Sequence, residues 1–294
     1  MEKKELQPQK RISPTSINTW FLCPRKYFYQ YILKLKVKPS IHMTKGSIVH
    51  KVLEIFYKSY NPNPKVYLNG LFETNWDNNK KLFDSLELSK EELEHHKQDA
   101  LFIVNDYYEV HNRKIKMLVL SGKVENEKHA FYLIRPKFRE MWVEDKELHC
   151  GGYIDRIYTD FNGVITIGDY KTSFKYGIGI SDDYRRQTSI YGLLYNNKTG
   201  VMPNFVSVIF LRYGEEFSLG VTPNLLAYAR NTIGEVWRRT RSVVKEDYPL
   251  CESNLCSWCD FQHNCSGKAD FDKKKRLEGF KEIISEDKKD EGIN

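Results

Sequence analysis

Residues 151–172 have the pattern of a β-hairpin, and this stretch constrains the fold more than any other part of the chain. Residues 154–158 are rich in β-branched and aromatic side chains, and residues 160–163 (Asp-Phe-Asn-Gly) are typical of a turn. Residues 164–167 then begin a return strand. The chain is therefore expected to contain an antiparallel pair of strands joined by this turn, with the two free strand ends side by side.

Two carboxylates and one ammonium group lie at the ends of these predicted strands. Asp155 is on the first strand, and Asp169 and Lys171 are on the second. In hydrolytic sites such carboxylates hold a divalent metal, and the lysine stabilises charge on the attacking water or the phosphate. The Asp-Tyr-Lys triplet alone fits a surface salt bridge, and its pairing with Asp155 across a turn strengthens the catalytic alternative.

The remaining chain shows helical and strand patterns in mixed order, which predicts an α/β fold. Helices are expected from Ser13-Pro14, over 46–60, from Ser89, from Ser181 and over 222–244, with one short helix within 65–88. Strands are expected at 117–120, 130–134, 148–158, 164–170, 205–212 and 216–221. Residues 136–146 fit either class.

Composition narrows the class of protein. The 294 residues are 40% hydrophobic and 14% aromatic, which is enough for a substantial core. No apolar run reaches the length of a transmembrane helix, and the N-terminus lacks the apolar core of a signal peptide. A cytoplasmic protein without a membrane partner is expected. The net charge of +7 is a mild bias toward polyanionic partners.

Clustered cysteines in such a chain indicate metal or cluster ligation before disulfides. Cys256, Cys259 and Cys265 place three thiolates within ten residues. Their spacing lets one loop wrap around a metal ion or an iron–sulfur cluster. The fourth ligand can be Cys251 nearby or Cys23 near the N-terminus, and structural zinc is the simpler alternative.

Three further features carry weaker signals. His50 lies on an apolar helical face, where histidines more often pack than bind metal. Gln187 and Tyr191 are one helical turn apart, which by itself fits ordinary packing. A stretch that interleaves cations with aromatics can either bind nucleic acid or pack as a solvated helix. Its candidate nucleic-acid-binding residues are Arg25, Lys26 and Tyr27.

Taken together, these motifs resemble the RecB-type nucleases of the PD-(D/E)xK superfamily. More narrowly, they resemble the branch with an iron–sulfur cluster, which includes AddB-type nuclease domains and CRISPR-associated exonucleases. The matching motifs, in the family's order, are Gly46-x-x-x-His50, Gly152-Tyr-Ile-Asp155-Arg156, Asp169-Tyr-Lys171-Thr172, Gln187-x-x-x-Tyr191, and Cys23-Pro24 with Cys256-x-x-Cys259-x5-Cys265. Only the two tails and roughly residues 60 to 145 fall outside the resemblance.

The resemblance implies a restriction-endonuclease-like core, with a mixed β-sheet flanked by helices, an N-terminal helical part and a C-terminal iron–sulfur segment. It implies a flexible tail at 1–12, one nuclease domain at 13–267 and a charged tail at 268–294. Within the domain, a helical insertion is expected at about 60–115, and an iron–sulfur segment at 249–267 closes on Cys23.

The resemblance also implies the roles of individual residues. The metal ligands would be His50, Asp155, Asp169 and the carbonyl of Tyr170. Lys171 would be the catalytic lysine, supported by Gln187 and Tyr191. A 4Fe–4S cluster would be bound by Cys23, Cys256, Cys259 and Cys265.

The implied activity is phosphodiester hydrolysis with Mg²⁺ or Mn²⁺, by an exonuclease on single-stranded DNA with a free end. A helicase, recombination or CRISPR-adaptation protein is the expected partner. The main alternative is a DNA-binding subunit with a nuclease-like fold and no activity. A zinc-clamped nucleic-acid-binding module without a hydrolytic role is the third interpretation.

Overall fold

The computed structural model has a mixed five-stranded sheet flanked by helices, and it describes residues 6–174 and 179–265. The strands are β1 (Phe138–Asp145), β2 (Cys150–Thr159), β3 (Ile165–Lys171), β4 (Phe205–Phe210) and β5 (Glu215–Gly220). They lie side by side in chain order. β3 and β4 are parallel, and the other neighbours are antiparallel. The α/β class and the mixed sheet are confirmed.

The described helices are α1 (Pro14–Leu22), α2 (Pro24–Tyr27), α3 (Ile41–Phe56), α4 (Pro64–Asp77), α5 (Lys80–Phe83), α6 (Lys90–Leu120), α7 (Glu127–Ile134), α8 (Asp182–Thr199) and α9 (Pro223–Arg239). A π-helical turn spans Phe28–Ile32, and short 3₁₀ turns occur at Lys245–Asp247, Asn254–Trp258 and Gln262–Asn264. Within the described part of the chain, no helix has the length and apolar character needed to cross a bilayer.

The chain divides into two compact units, a finer division than the single domain that the sequence predicts. Among the described residues, one unit comprises 6–9, 19–38 and 239–265, and the other comprises 10–18, 39–174 and 179–238. The first holds Cys23 together with the C-terminal cysteines, and the second holds the sheet. The predicted charged tail at 268–294 lies outside the described residues.

The hydrophobic core of the sheet-containing unit lies where helices cover one face of the sheet. Buried side chains of α3, α4, α6 and α7 form one cluster with Tyr170, Ile209 and Leu211 from the sheet region. Because successive strand residues point to opposite faces, Tyr170 faces this core while Asp169 and Lys171 face the other side of β3. The alternation thus separates packing side chains from chemically active ones.

The side chain of a buried arginine crosses one face of the sheet over a glycine. Arg156 on β2 donates to Glu216 Oε1 on β5 at 2.6 Å and to the Tyr107 hydroxyl at 3.1 Å. Its path runs over Gly168 on β3, where an added Cβ would lie 2.6 Å from Arg156 Nε. A glycine at 168 is therefore a packing requirement, because any larger residue would displace this hydrogen-bonded side chain.

Two predicted strands are wrong. Residues 117–120 are the last turn of the 31-residue helix α6, and residues 130–134 belong to α7. Asn126 caps α7 by accepting from the backbone N–H of His129 at 2.9 Å. Short apolar runs do not distinguish a strand from a buried helix segment, and here packing against α3 and its neighbours favours the helix. The ambiguous stretch 136–146 contains β1.

Three element limits also differ from the predictions. Ile12, placed in the flexible tail, is buried and bridges to Cys150, with its N–H bonded to the His149 carbonyl at 2.9 Å. Helix α3 begins at Ile41, five residues before the predicted start. The Ser40 hydroxyl caps α3 by accepting from Met43 N–H. Helix α9 ends at Arg239, not near 244.

Candidate active site

The β2–β3 hairpin brings Asp155 and Asp169 together. The strands are antiparallel, with Arg156 opposite Gly168. Asp155, one residue before Arg156, therefore lies opposite Asp169, one residue after Gly168. The backbone N–H of Tyr170 donates to Asp155 Oδ2 at 2.6 Å, which fixes the orientation of that carboxylate. The predicted hairpin and the proximity of its two carboxylates are thus present in the structure.

Helix α3 adds His50 to this pair. Its Nδ1 lies 3.5 Å from Asp155 Oδ1, and its ring packs edge-on against Tyr170 at 5.7 Å between ring centres. Burial alone would lower the pKa of His50, but the charge of Asp155 and a hydrogen bond to it raise the pKa above its ordinary value. The imidazole is therefore held in a strongly negative environment.

Glu140 completes a donor group that the sequence analysis did not identify. β1 pairs with β2 through Arg139 opposite Arg156 and Met141 opposite Ile154, so Glu140 lies opposite Asp155. One ligand atom each from His50, Glu140 and Asp155 lies within 4.8 Å of the others, the single such group among the described residues. The signal that would have found Glu140 is strand pairing, which the ambiguous pattern of 136–146 concealed.

The backbone conformation of Glu140 is unfavourable, and so is its charged carboxylate unless a cation binds beside it. Its φ is +49°, a left-handed conformation that side-chain-bearing residues seldom adopt in a strand. Burial and the charge of Asp155 raise the pKa of Glu140 to about 7. Like charges directly across a sheet repel, and a divalent cation would remove that repulsion. The oxygen and imidazole donors fit Mg²⁺ or Mn²⁺.

Asp169 is held mainly by Lys171. Lys171 Nζ lies 2.6 Å from Asp169 Oδ2, and Asp169 is not in the group formed by His50, Glu140 and Asp155. Burial raises the pKa of Asp169 to about 6, with Lys171 opposing and Asp155 adding to the rise. Burial alone would lower the pKa of Lys171, but Asp169 raises it above its ordinary value, so the amine is an ammonium at neutral pH.

Helix α8 positions the remaining predicted side chains. Lys171 Nζ donates to Gln187 Oε1 at 3.0 Å and lies 5.0 Å from the centre of the Tyr184 ring. Burial raises the pKa of Tyr191 well above its ordinary value, so its phenol keeps its proton. Gly152 makes room for Tyr191, because a Cβ there would lie 3.2 Å from that ring. The structure thus gathers all of the predicted catalytic side chains.

The cysteines line a cavity in the other unit. Its volume is about 80 Å³, and its walls include Cys23, Cys251, Cys256, Cys259 and Cys265. In the described chain, no three of these sulfurs lie within 4.8 Å of one another. A zinc ion bonded to sulfur at about 2.3 Å would hold its ligands roughly 3.8 Å apart. The described sulfurs are therefore farther apart than the ligands of one tetrahedral zinc ion.

The predicted nucleic-acid-binding stretch is buried in part. Tyr27 is completely buried, with its ring against Trp20, Tyr31 and Tyr248, so it cannot stack on a base and that prediction is wrong. Arg25 donates from Nε to the Tyr248 carbonyl at 2.8 Å, and Arg25 and Lys26 line the cysteine cavity. The sequence pattern here reflects packing, because the consecutive aromatics Tyr27, Phe28 and Tyr29 are all buried.

A protein-family model agrees with this architecture. A family model described as the PD-(D/E)XK nuclease superfamily matches residues 11–266. The search among curated proteins finds no match. Among solved structures, the chain is similar to a "putative exonuclease" from Eubacterium rectale, with 14% sequence identity, a TM-score of 0.49, and coverage of 89% of this chain and 91% of that chain. Because the family model spans most of the 294 residues, the chain belongs to the PD-(D/E)XK nuclease superfamily.

Proposed function

We propose that the protein is a metal-dependent nuclease that hydrolyses phosphodiester bonds in DNA, acting as an exonuclease on single strands with a free end. The observation that carries the proposal is the convergence of His50, Asp155 and Glu140 beside the Asp169–Lys171 pair. Single-stranded substrate and the exonuclease mode rest on the resemblance to RecB-type enzymes.

The metal would be held by His50, Asp155 and Asp169 with the Tyr170 carbonyl, and Glu140 is an additional ligand supported by its position opposite Asp155. A bound Mg²⁺ or Mn²⁺ would supply Lewis-acid activation of water and neutralise charge on the phosphate. Burial and the charge of Asp155 raise the pKa values of Glu140 and Asp169, and a bound divalent cation would favour the ionised forms of both carboxylates.

Lys171 acts as a cation in this proposal, because its raised pKa keeps the amine protonated. Its ammonium orients the attacking water and stabilises the negative charge that develops on the phosphate oxygens. Gln187 fixes the ammonium by accepting its hydrogen bond, and Tyr191 supplies a neutral hydroxyl. The chain needs no nucleophilic side chain, so no covalent intermediate is expected.

The cysteine cavity supports assignment to the iron–sulfur branch. Cys23, Cys256, Cys259 and Cys265 would bind a structural 4Fe–4S cluster, which would tie α2 to the C-terminal segment of the same unit. Cys251 lines the same cavity and is the rival fourth ligand. A helicase, recombination or CRISPR-adaptation protein is the partner that the resemblance implies.

The deciding experiment is digestion of end-labelled DNA by protein purified without oxygen. Mg²⁺ or Mn²⁺ should produce loss of the label from single strands as mononucleotides or short products, and EDTA should stop the reaction. A protein that binds the same DNA but never cleaves it with either metal would instead be the non-catalytic DNA-binding subunit. Circular single strands, which have no ends, separate exonuclease from endonuclease activity.

The role of Glu140 has its own test. Glu140→Gln should weaken Mn²⁺ binding about tenfold or more, because one anionic ligand is lost. Titration of Mn²⁺ followed by the rise in melting temperature measures this without reference to activity. Glu144→Gln, on the same strand and paired with Arg11 at 2.6 Å, is the matched control. Equal Mn²⁺ affinity in wild type and Glu140→Gln would remove Glu140 from the ligand set.

A further inference from the structure

Cationic side chains and an exposed aromatic gather beside the end of β3. An added Cβ at Gly46 would lie 3.3 Å from Thr172 Oγ1, so the start of α3 passes against the residue that follows Lys171. Leu211 N–H donates to the Lys171 carbonyl at 3.0 Å, which places Arg212 at the same end of the parallel pair β3–β4. Lys45, next to Gly46, also belongs to this neighbourhood.

These cations carry more charge than their partner neutralises. Arg212 Nη2 lies 2.6 Å from one oxygen of Asp99 on α6, and Lys45 Nζ contacts the other oxygen. Two cations therefore share one carboxylate and leave a net charge of about +1. Burial alone would raise the pKa of Asp99, but the bonds from Lys45 and Arg212 lower it, so the carboxylate stays ionised. The surplus charge is fixed in place.

Phe174 lies on this charged group. The Arg212 guanidinium carbon is 4.4 Å from the centre of the Phe174 ring, within the range of a cation–π contact. The side chain of Arg212 is only 12% exposed, whereas Phe174 is 54% exposed. A ring that is held from one side by a cation and open to water on the other is a suitable surface for stacking.

Exposure by itself does not distinguish Phe174, because single exposed aromatics are common. Phe161, in the β2–β3 turn, is 58% exposed. In the described part of the chain, no arginine or lysine stacks on the Phe161 ring, and it lies at the opposite end of β3 from Lys171. Phe174, in contrast, is three residues after Lys171 and within about 11 Å of it along the chain, a distance that one or two nucleotides span.

We propose that Phe174, supported by Arg212 and Lys45, is a stacking platform for an unpaired base next to the scissile phosphate, with the surplus charge attracting the neighbouring phosphate. This inference rests on the proposed nuclease function and adds to it a residue that positions an unpaired base of the single strand. A base within a duplex cannot reach the ring, because both of its faces are already stacked. The platform is thus a source of strand selectivity that is separate from the catalytic residues.

The test is direct binding of a fluorescent oligothymidylate, followed by anisotropy in EDTA so that no cleavage occurs. Phe174→Ala should weaken binding about tenfold or more, the effect of losing one stacked base. Phe174→Trp should retain binding, because a larger ring still stacks. The matched control Phe161→Ala should bind as wild type does, and a closed circular duplex, which has no open base face, should bind equally to wild type and Phe174→Ala.

An abasic scan adds a position-specific readout. Removing one base at a time from the oligonucleotide should weaken binding to wild type at one position near the end, and that dependence should disappear in Phe174→Ala. The inference is overturned if Phe174→Ala binds single strands normally, if Phe161→Ala loses as much affinity, or if duplex binding falls equally. If wild type cleaves DNA and Phe174→Ala binds single strands normally, the platform is rejected and the nuclease function stands. If Phe174→Ala selectively loses single-strand binding but wild type never cleaves DNA, the platform is supported and the nuclease function is rejected.

Discussion

Lys171→Ala is expected to lower the rate of DNA hydrolysis by at least about a hundredfold, because it removes the cation that stabilises the transition state in the proposed mechanism. In the structure the ammonium is fixed by Asp169 at 2.6 Å and by Gln187 at 3.0 Å. No other described side chain bonds to both groups in its place. Since the ammonium acts on the developing charge and not on substrate affinity, the loss should appear in kcat.

The fold should survive this substitution. Leaving a carboxylate buried without its partner is normally destabilising, but the pKa of Asp169 is already raised to about 6 by burial. Without the ammonium, the carboxyl takes up a proton and does not remain a buried charge. The melting temperature of Lys171→Ala should therefore fall only modestly, and circular dichroism should be unchanged.

The measurement compares single-turnover cleavage by wild type, Lys171→Ala, Asp169→Asn and the control Lys65→Ala. Lys65 is exposed on α4 and pairs with Glu109, and neither residue belongs to the site, so its removal should leave the rate unchanged. Wild-type activity in both folded site variants would refute the assignment of Asp169 and Lys171. Loss of activity in Lys65→Ala as well would indicate a general effect and would not support a specific role.

Cys259→Ser is expected to remove iron from the protein and to lower its melting temperature by about 10 °C or more, because cluster binding to the folded state contributes directly to its stability. Cys23→Ser should have the same effect, although the two residues are far apart in sequence. Both line the same cavity, so either substitution would remove a ligand of the same proposed cluster.

Cys251→Ser is the control that separates the two ligand sets, since Cys251 also lines the cavity but falls outside the family pattern. It should retain full iron content and the brown colour, with absorbance near about 400 nm. Retention of metal in Cys23→Ser together with its loss in Cys251→Ser would show that the fourth ligand is Cys251 and not Cys23. Zinc in place of iron in anaerobically purified wild type would reject the 4Fe–4S cluster.

The sequence predicted those site residues that lie close together along the chain. Asp155, Asp169 and Lys171 lie on two strands joined by a short turn, so pairing alone brings them together. His50 is 105 positions before Asp155, and its approach to 3.5 Å depends on how α3 packs against Tyr170. Only the family resemblance predicted that approach, because residue pattern does not specify long-range packing.

The sequence did not identify Glu140 as a site residue and wrongly predicted that Tyr27 binds nucleic acid. Glu140 has a left-handed φ, and no local preference predicts that conformation for glutamate, so strand pairing had to reveal it. Tyr27 has the composition of a base-stacking residue, yet its ring is enclosed by Trp20 and Tyr248. Composition identifies the side chain but not which face of its helix is covered.

By itself, the sequence determined the α/β class, the order of the motifs, the hairpin that carries two carboxylates and the lysine, and the cysteine spacing. The tertiary structure alone decided that residues 117–134 are largely helical, that Glu140 joins His50 and Asp155, and that Phe174 rests on Arg212. The physical reason is range: turns, caps and alternation act over a few residues, whereas these contacts join segments tens of residues apart, whose meeting depends on burial and packing of the whole core.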